Sequence, residues 1–396
     1  MKQITRRATL KIALFCTLLV ILAPGIWPQD QNGTTTSKYN VTELPTLGGT
    51  VGAAFSVDNK GWVAGVANLP GDRQEHAVLW VNDTVADLST LGGPNSAIGF
   101  PVKHSQGVLV GFSQTVDSDP LHEDWKYVCG AFNLSGVCEG KNLISRGFVW
   151  QNGSIAYSLP PFSGGNISEA FGVNNSRQVV GVAESGNQDQ TCVHPQKLDY
   201  YGVIWNPEGS MQMLSPYPGD HISAAVAINN NGQVVGASGP CAPISPSIGA
   251  HALLWQNGSV IDLGNLGGTT NNVAFSINGE SQVVGLSGLL GNTTAHAFIW
   301  QNGVMSNLGT LSGDVFSIAY SINDNGQVVG QSCDANNKCR AFLWQYGTGM
   351  VDLNSLAAPG SPQLVVAYDI NNQGQIVGEA YDPTTENSPA YLATPN

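Results

Sequence analysis

The chain has 396 residues, 42% of them hydrophobic and only 11% charged, with 48 glycines; such a composition excludes long-helix and coiled-coil architectures and favours many short strands and turns. Beyond the first 28 residues, 11 basic groups stand against 28 acidic ones, a net charge of −17. A surface of that sign repels phosphate backbones and anionic lipid, so nucleic-acid and membrane-surface binding are set aside.

Residues 1–28 carry Lys2, Arg6, Arg7 and Lys11, no acidic group, and an apolar run from Ile12 to Trp27. That is the layout of an export signal. TRRATLK (5–11) resembles the twin-arginine export pattern, with Thr9 where a large apolar residue is usual, and an ordinary secretory signal is its rival. An uncleaved anchor stays open, although about 16 apolar residues are short for a bilayer. Residues 29–38 read as a linker and 39–396 as one domain, expected to be exported to the periplasm, the cell surface or the medium.

From residue 39 onward the chain repeats itself. YNVTEL (39–44) is a strand signal, and seven copies of a QVVG-like phrase follow, closing at Gly65, Gly111, Gly181, Gly236, Gly285, Gly330 and Gly378. A second phrase keeps step with it: HAVLW (76–80), RGFVW (146–150), YGVIW (201–205), HALLW (251–255), HAFIW (296–300), RAFLW (340–344) and AYLA (390–393). TLGG or a decayed form recurs as a third. The clean copies return every 45–50 residues or so, the period of propeller blades.

Each period divides into four strand signals: AFSIN, an Asn/Gly turn, QVVGxS, a variable loop, HAFxW, then an Asn-Gly hairpin turn into the last strand. In this reading Asn and Gly recur for turn geometry alone. The QVVG and HAFxW strands are apolar at consecutive positions, which means that both faces are covered. Six tryptophans close the third strand, and they read as blade-to-blade core in preference to a sugar-binding ring. YNVTEL matches a fourth strand and AYLA a third, so the N-terminal strand is expected to complete the last blade and leave no open sheet edge. The expected fold is all-β, a seven-bladed propeller of four-stranded blades, provided that the divergent copy PVKHSQGVLVGFS (101–113) is a blade.

HAFIW, NLGG, SIN and GQVVGxS together resemble the bacterial extracellular repeat family named HAF after its His-Ala-Phe signature. The resemblance spans 39–396, closest at 251–300 and 296–344; Trp62, Arg146-Gly147 and Tyr201-Gly202 depart from it. It implies exported or surface-associated proteins and carries over no catalytic residue. His76, His251 and His296 match the signature and read as structural residues at strand starts.

In a propeller the loops joining second and third strands share a face with the connections between blades. Here they vary most, with long ones at 114–145 and 184–201, and loops on a rigid scaffold are where binding usually resides. His122, Asp124, Trp125 and Tyr127 within HEDWKY are the ligand-binding candidates, weighed against a solvated loop with one aromatic tucked onto the blade. All six cysteines of the exported part lie in this loop class: Cys129 with Cys138 and Cys333 with Cys339 as local loops, Cys192 with Cys241 between neighbouring blades. Without a CxxC spacing no metal site is expected, and no cofactor.

Some propellers are hydrolases, yet no SxDxGxTW, GxSxG or HExxH box occurs. Arg177 belongs to the opposite face, and Arg73, Arg146 and Arg340 precede third strands away from the axis. The expectation is a monomeric, non-catalytic scaffold that binds a protein or glycan through its long-loop face. A propeller glycosidase or lyase is the alternative, and a purely structural envelope or matrix protein another.

Overall fold

The computed structural model describes residues 38–82, 84–98, 107–123, 142–242 and 249–396; a three-residue 3-10 turn, Leu353–Ser355, is their only helical element. The strands form seven four-stranded antiparallel sheets arranged as a seven-bladed propeller. Blades 1 to 6 each take four consecutive strands, beginning with Gly52–Val57, Val63–Asn68, Glu75–Val81 and Thr84–Asp87. The divergent second copy is a blade, formed by Ser96–Ile98, Leu109–Ser118, Leu143–Gln151 and Ser154–Leu159.

Blade 7 has the expected composite make-up. Its inner strands Gln363–Ile370, Ile376–Tyr381 and Ala390–Pro395 are completed by the N-terminal strand Tyr39–Leu44. The pairing runs from Tyr39↔Pro395 to Leu44↔Ala390. Backbone groups that would otherwise form an open edge are thereby paired within the chain.

Consecutive apolar residues are explained by blade stacking: every residue of Gly52–Val57 and Val63–Asn68 is buried, whereas the outer strand Thr84–Asp87 is mostly exposed. The third-strand tryptophans sit between blades. Trp80, Trp205 and Trp255 are each no more than 5% exposed, and their indole N–H groups donate to carbonyls of Pro45, Pro160 and Ser215 in the preceding connections at 2.8–2.9 Å. Burying each ring contributes on the order of 3 kcal/mol.

A β-bulge interrupts the first strand at the same place in six blades, with the register skipping one residue between Ala54 and Ser56, and likewise between Ala274 and Ser276 and between Ala319 and Ser321. The skipped residues, among them Phe55, Phe275, Tyr320 and Tyr368, meet one another from neighbouring blades. Ring centroids are 5.0 Å apart for Phe55–Tyr368, 5.4 Å for Tyr320–Tyr368 and 5.6 Å for Phe275–Tyr320. First strands surround the axis, so these rings plug it. The bulge also presses the first strand onto the second. A Cβ placed on Gly65, Gly236 or Gly330 would lie 1.9–2.0 Å from a carbonyl oxygen of the first strand. The glycine of the QVVG phrase is therefore required in mid-strand for close approach, in addition to the turn glycines that the sequence announces.

The Asn that ends the first strand in blades 3 to 7 does more than shape its turn. Its Oδ1 accepts backbone N–H groups two and four residues on, as Asn323 does from Asn325 and Gln327, while its Nδ2 donates to the equivalent carbonyl of the next blade. The relay runs Asn174→Asn229→Asn278→Asn323→Asn371→Asp58 at 2.9–3.3 Å. At the other end of the inner strands a serine performs the corresponding task. Ser223 Oγ accepts from Gly202 N and donates to Leu214 O, and Ser168 and Ser317 repeat the arrangement.

Candidate functional site

The turns bearing the asparagine relay surround one mouth of the ring, where they line a pocket, and the second-to-third-strand loops rise on the opposite face. Two of those loops begin as extensions of the blade. The second strand of blade 2 runs to Ser118 and its third starts at Leu143, and in blade 3 the strands reach Gln188 and resume at Leu198. The long loops expected at 114–145 and 184–201 are thus partly hairpin arms, and Arg146 and Arg340 lie within third strands where the sequence placed them just before.

Of the ligand-binding candidates, His122 is exposed and in a left-handed conformation, φ 56°, with its N–H donating to Asp119 O at 3.2 Å. Asp124, Trp125, Tyr127, Cys129 and Cys138 lie outside the described residues. The residue that organises this region is Glu123, which the sequence reading passed over. Its Oε1 accepts from Lys197 N at 2.6 Å, Leu198 N at 2.8 Å and Gln196 Nε2 at 3.2 Å, tying the arm of blade 2 to that of blade 3. Lys197 Nζ returns to Leu121 O at 2.6 Å, and Asp119 Oδ2 accepts from Glu123 N at 2.7 Å.

The next junction is covalent. Cys192 of blade 3 is bonded to Cys241 of blade 4, and Val193 N and Tyr200 Oη donate across the same seam to Cys241 O and Ala242 O. Cys333–Cys339 closes the corresponding loop of blade 6. Both bridges follow the expected pairing. Asp189 and Asp199 come within 4.8 Å of the Cys192 and Cys241 sulfurs. Because those sulfurs are bonded to each other, only two carboxylates remain there, fewer than a metal site needs. His221 Nδ1 sits 2.6 Å from Asp189 at the rim.

The signature histidines serve the scaffold. His76 Nδ1 lies 2.9 Å from Asp87, His251 Nδ1 2.8 Å from Asp220, and His296 Nδ1 3.2 Å from Asn307. Arg340, at the same place in blade 6, pairs with Asp314 and Asp352 at 2.9 and 3.0 Å.

Several carboxyls on this side are buried. Burial pushes Glu184 up to about 8, and the neighbouring Glu123 charge adds to the effect, whereas N–H bonds from Asn166 and Ile167 oppose it. Burial likewise raises Glu123. Glu169 is fully buried, and burial takes it to about 8 against the opposing effect of the Ser145 hydroxyl beside it. Glu75, also at about 8, is raised by burial and then by the charge of Glu379, which burial itself holds at about 7. A buried carboxyl without enough donors keeps its proton at neutral pH. Glu379 fills the variable position of the QVVGxS phrase, where blade 6 has Gln331, and Glu184 stands where blades 1 and 2 have Asn68 and Gln114, so a polar residue there gave no sign of its burial.

No protein-family model and no curated sequence matches the chain. Similar solved structures include an oligogalacturonate lyase in complex with manganese, 12% identical with TM-score 0.52, the match covering 91% of this chain and 94% of that one. Others are the Pyrococcus horikoshii acylaminoacyl peptidase, 9% identical, TM-score 0.51, covering 86% of this chain and 51% of that one, and a Mycobacterium tuberculosis puromycin-hydrolyzing peptidase, 11% identical, TM-score 0.50, covering 90% and 56%. The chain spans about half the length of the peptidases that it matches. At such identities the likeness shows the propeller fold alone.

Proposed function

We propose that the chain is an exported, non-catalytic propeller of the HAF-type repeat class, a monomer that binds a protein or glycan partner through the joined loops of blades 2, 3 and 4. The observation that carries this reading is the clamp made by Glu123 on Lys197 and Leu198, continued by Cys192–Cys241. Three successive loops held in fixed positions lose little freedom on binding, and that preorganisation favours affinity. Two disulfides among the described residues are compatible with an oxidising compartment. No helix of the described residues is long and apolar enough to cross a membrane.

The test replaces residues 124–141 by a short Gly-Ser link, which spares the strands ending at Ser118 and beginning at Leu143. Glycan arrays and partner screens with the whole chain should yield a ligand that this variant loses. A variant that keeps every interaction removes the loop platform from the account.

A second reading is a glycosidase or lyase on the same face. In its favour is Glu184, a carboxylic acid near neutral pH beside a second carboxyl, Glu123. Glycoside cleavage asks for an acid of that kind, and a propeller lyase is among the similar folds. Turnover by the whole chain in a polysaccharide hydrolase and lyase panel, abolished in Glu184→Gln, would establish this reading; no turnover would end it.

A further inference from the structure

The blades are equivalent position by position, so an unusual residue can be placed by its sisters. The position after the mid-strand glycine holds Val66, Val182 and Leu286 in blades 1, 3 and 5, all in the hydrophobic cluster that lines the axis, and in blade 7 it holds Glu379. The position before the HAF phrase holds Tyr200 and Ala295 in the same cluster, and in blade 1 it holds Glu75. Both glutamates therefore turn to the axial side, on the long-loop end of the aromatic plug. Glu75 is 6% exposed and its Oε2 is buried with no hydrogen-bond partner. Glu379 is half-buried, so solvent reaches it.

Blade 7 packs on blade 1 along Ile376–Tyr381 and Gly52–Val57, which sets the two glutamates at one seam; burial, and after it the charge of Glu379, raises both Glu75 and the hydroxyl of Tyr368. Tyr368 packs against Phe55 and Tyr320 at 5.0 and 5.4 Å. Two carboxyls beside aromatic rings offer an organic cation what it requires: oxygen acceptors for its N–H donors and π faces for its charge. A metal ion is less well served. Among the described residues the one group of three or more metal-type donors within 4.8 Å of each other lies elsewhere, at Asp189.

We propose that Glu75 and Glu379 form an axial subsite for an organic ammonium ion, the protonated amine of an alkylamine or of a lysine side chain, with Tyr368 as its aromatic wall. The site is distinct from the loop platform and does not depend on it. Binding exchanges a proton for the ammonium: R–NH3+ meets the carboxylic acid, the O–H bond breaks, the carboxylate pairs with the ammonium, and the proton leaves to the buffer.

Calorimetry of the whole chain at about pH 6.5 tests this with n-butylammonium chloride and with n-butanol, in two buffers of different ionisation enthalpy. The amine should bind saturably, the alcohol should not, and the heat should change between buffers in the sense of proton release. Glu379→Gln, at a position where blade 6 carries Gln331, should weaken amine binding by about tenfold or more. Circular dichroism confirms that this variant is folded; Glu75→Gln serves as the second variant where it folds. Absence of saturable binding up to about 10 mM amine, equal binding of n-butanol, or unchanged affinity in Glu379→Gln overturns the proposal.

Discussion

Asn371 Nδ2 donates to the carbonyl oxygen of Asp58 at 2.9 Å, although 313 positions separate the two residues. The contact joins blade 7 to blade 1 and continues a relay that blades 3 to 6 each make with their own asparagine. Each such amide is buried, serves its own turn through Oδ1 and reaches the neighbour through Nδ2, so removal leaves several backbone groups unsatisfied. Asn323→Ala should lower stability by about 2–4 kcal/mol in denaturant titration. Asn257→Ala, in an exposed hairpin turn at φ 52°, should lower it by about 1 kcal/mol. Equal effects would mean that the relay adds nothing to the turn.

Gly330 sets a sharper condition. A methyl group there would fall 1.9 Å from Ile318 O and 2.8 Å from the Phe342 ring, and the bulged first strand cannot withdraw without disturbing the axial plug. Gly330→Ala should reduce stability by about 3 kcal/mol or more, or abolish folding. Gly202→Ala should be mild, under about 1.5 kcal/mol, because Ala77, Ala252 and Ala297 fill that position in sister blades. Thermal melting of the two variants side by side checks the contrast.

The buried glutamates impose a pH dependence. In the unfolded chain Glu75, Glu169, Glu184 and Glu379 ionise near 4.5, and in the fold at about 8, 8, 8 and 7. Their folded values are raised, so their contribution is complete below about pH 4.5 and is lost as pH climbs through 7 and 8. The melting temperature should fall by about 10 °C or more between pH 5 and pH 9. Glu169→Gln cannot ionise; it should melt above the natural chain at pH 9 and close to it at pH 5. Below about pH 4 the opposite group takes over: the carboxylates of Asp189, Asp334 and Asp382, which accept hydrogen bonds from Thr191, Lys338 and Thr384, sit below the usual range and protonate there. A melting temperature that rises steadily from pH 5 to pH 9 would contradict the assignment.

The two disulfides should differ in weight. Cys192–Cys241 spans 49 residues and joins neighbouring blades, whereas Cys333–Cys339 spans six within one hairpin. By loop-closure entropy the first contributes on the order of 4 kcal/mol and the second about 2. The Cys192→Ser/Cys241→Ser pair should therefore melt lower than the Cys333→Ser/Cys339→Ser pair, by differential scanning calorimetry. The reverse order would mean that the blades are held without the staple.

Periodicity made the ring legible in the sequence. Seven mid-strand glycines, the HAFxW phrase and the complementary ends at YNVTEL and AYLA were enough for blade count and closure, since strand period and turn chemistry are local properties. The roles of the repeated residues were not legible. Asn323 was read as a turn former, which it is, but its bond to Asn371 O depends on a blade 48 residues away. Gly330 gave no hint that a bulge at Tyr320 presses a carbonyl against it. The candidate site was legible in outline only: the loops, Cys192–Cys241 and Cys333–Cys339 were in the pattern, but Glu123 looked like one acid among HEDWKY, and its three donors come from blade 3. Contacts between distant segments carry no periodic signature.

The most direct measurement of the loop platform is an affinity comparison on its first identified ligand, using surface plasmon resonance with the whole chain and the variant Glu123→Gln/Cys192→Ser/Cys241→Ser. Weakening of about tenfold or more, with the circular dichroism spectrum unchanged, is the predicted result, since the loops would then have to be ordered on binding. Identical affinity in the folded variant would show that blades 2, 3 and 4 do not present the partner's site.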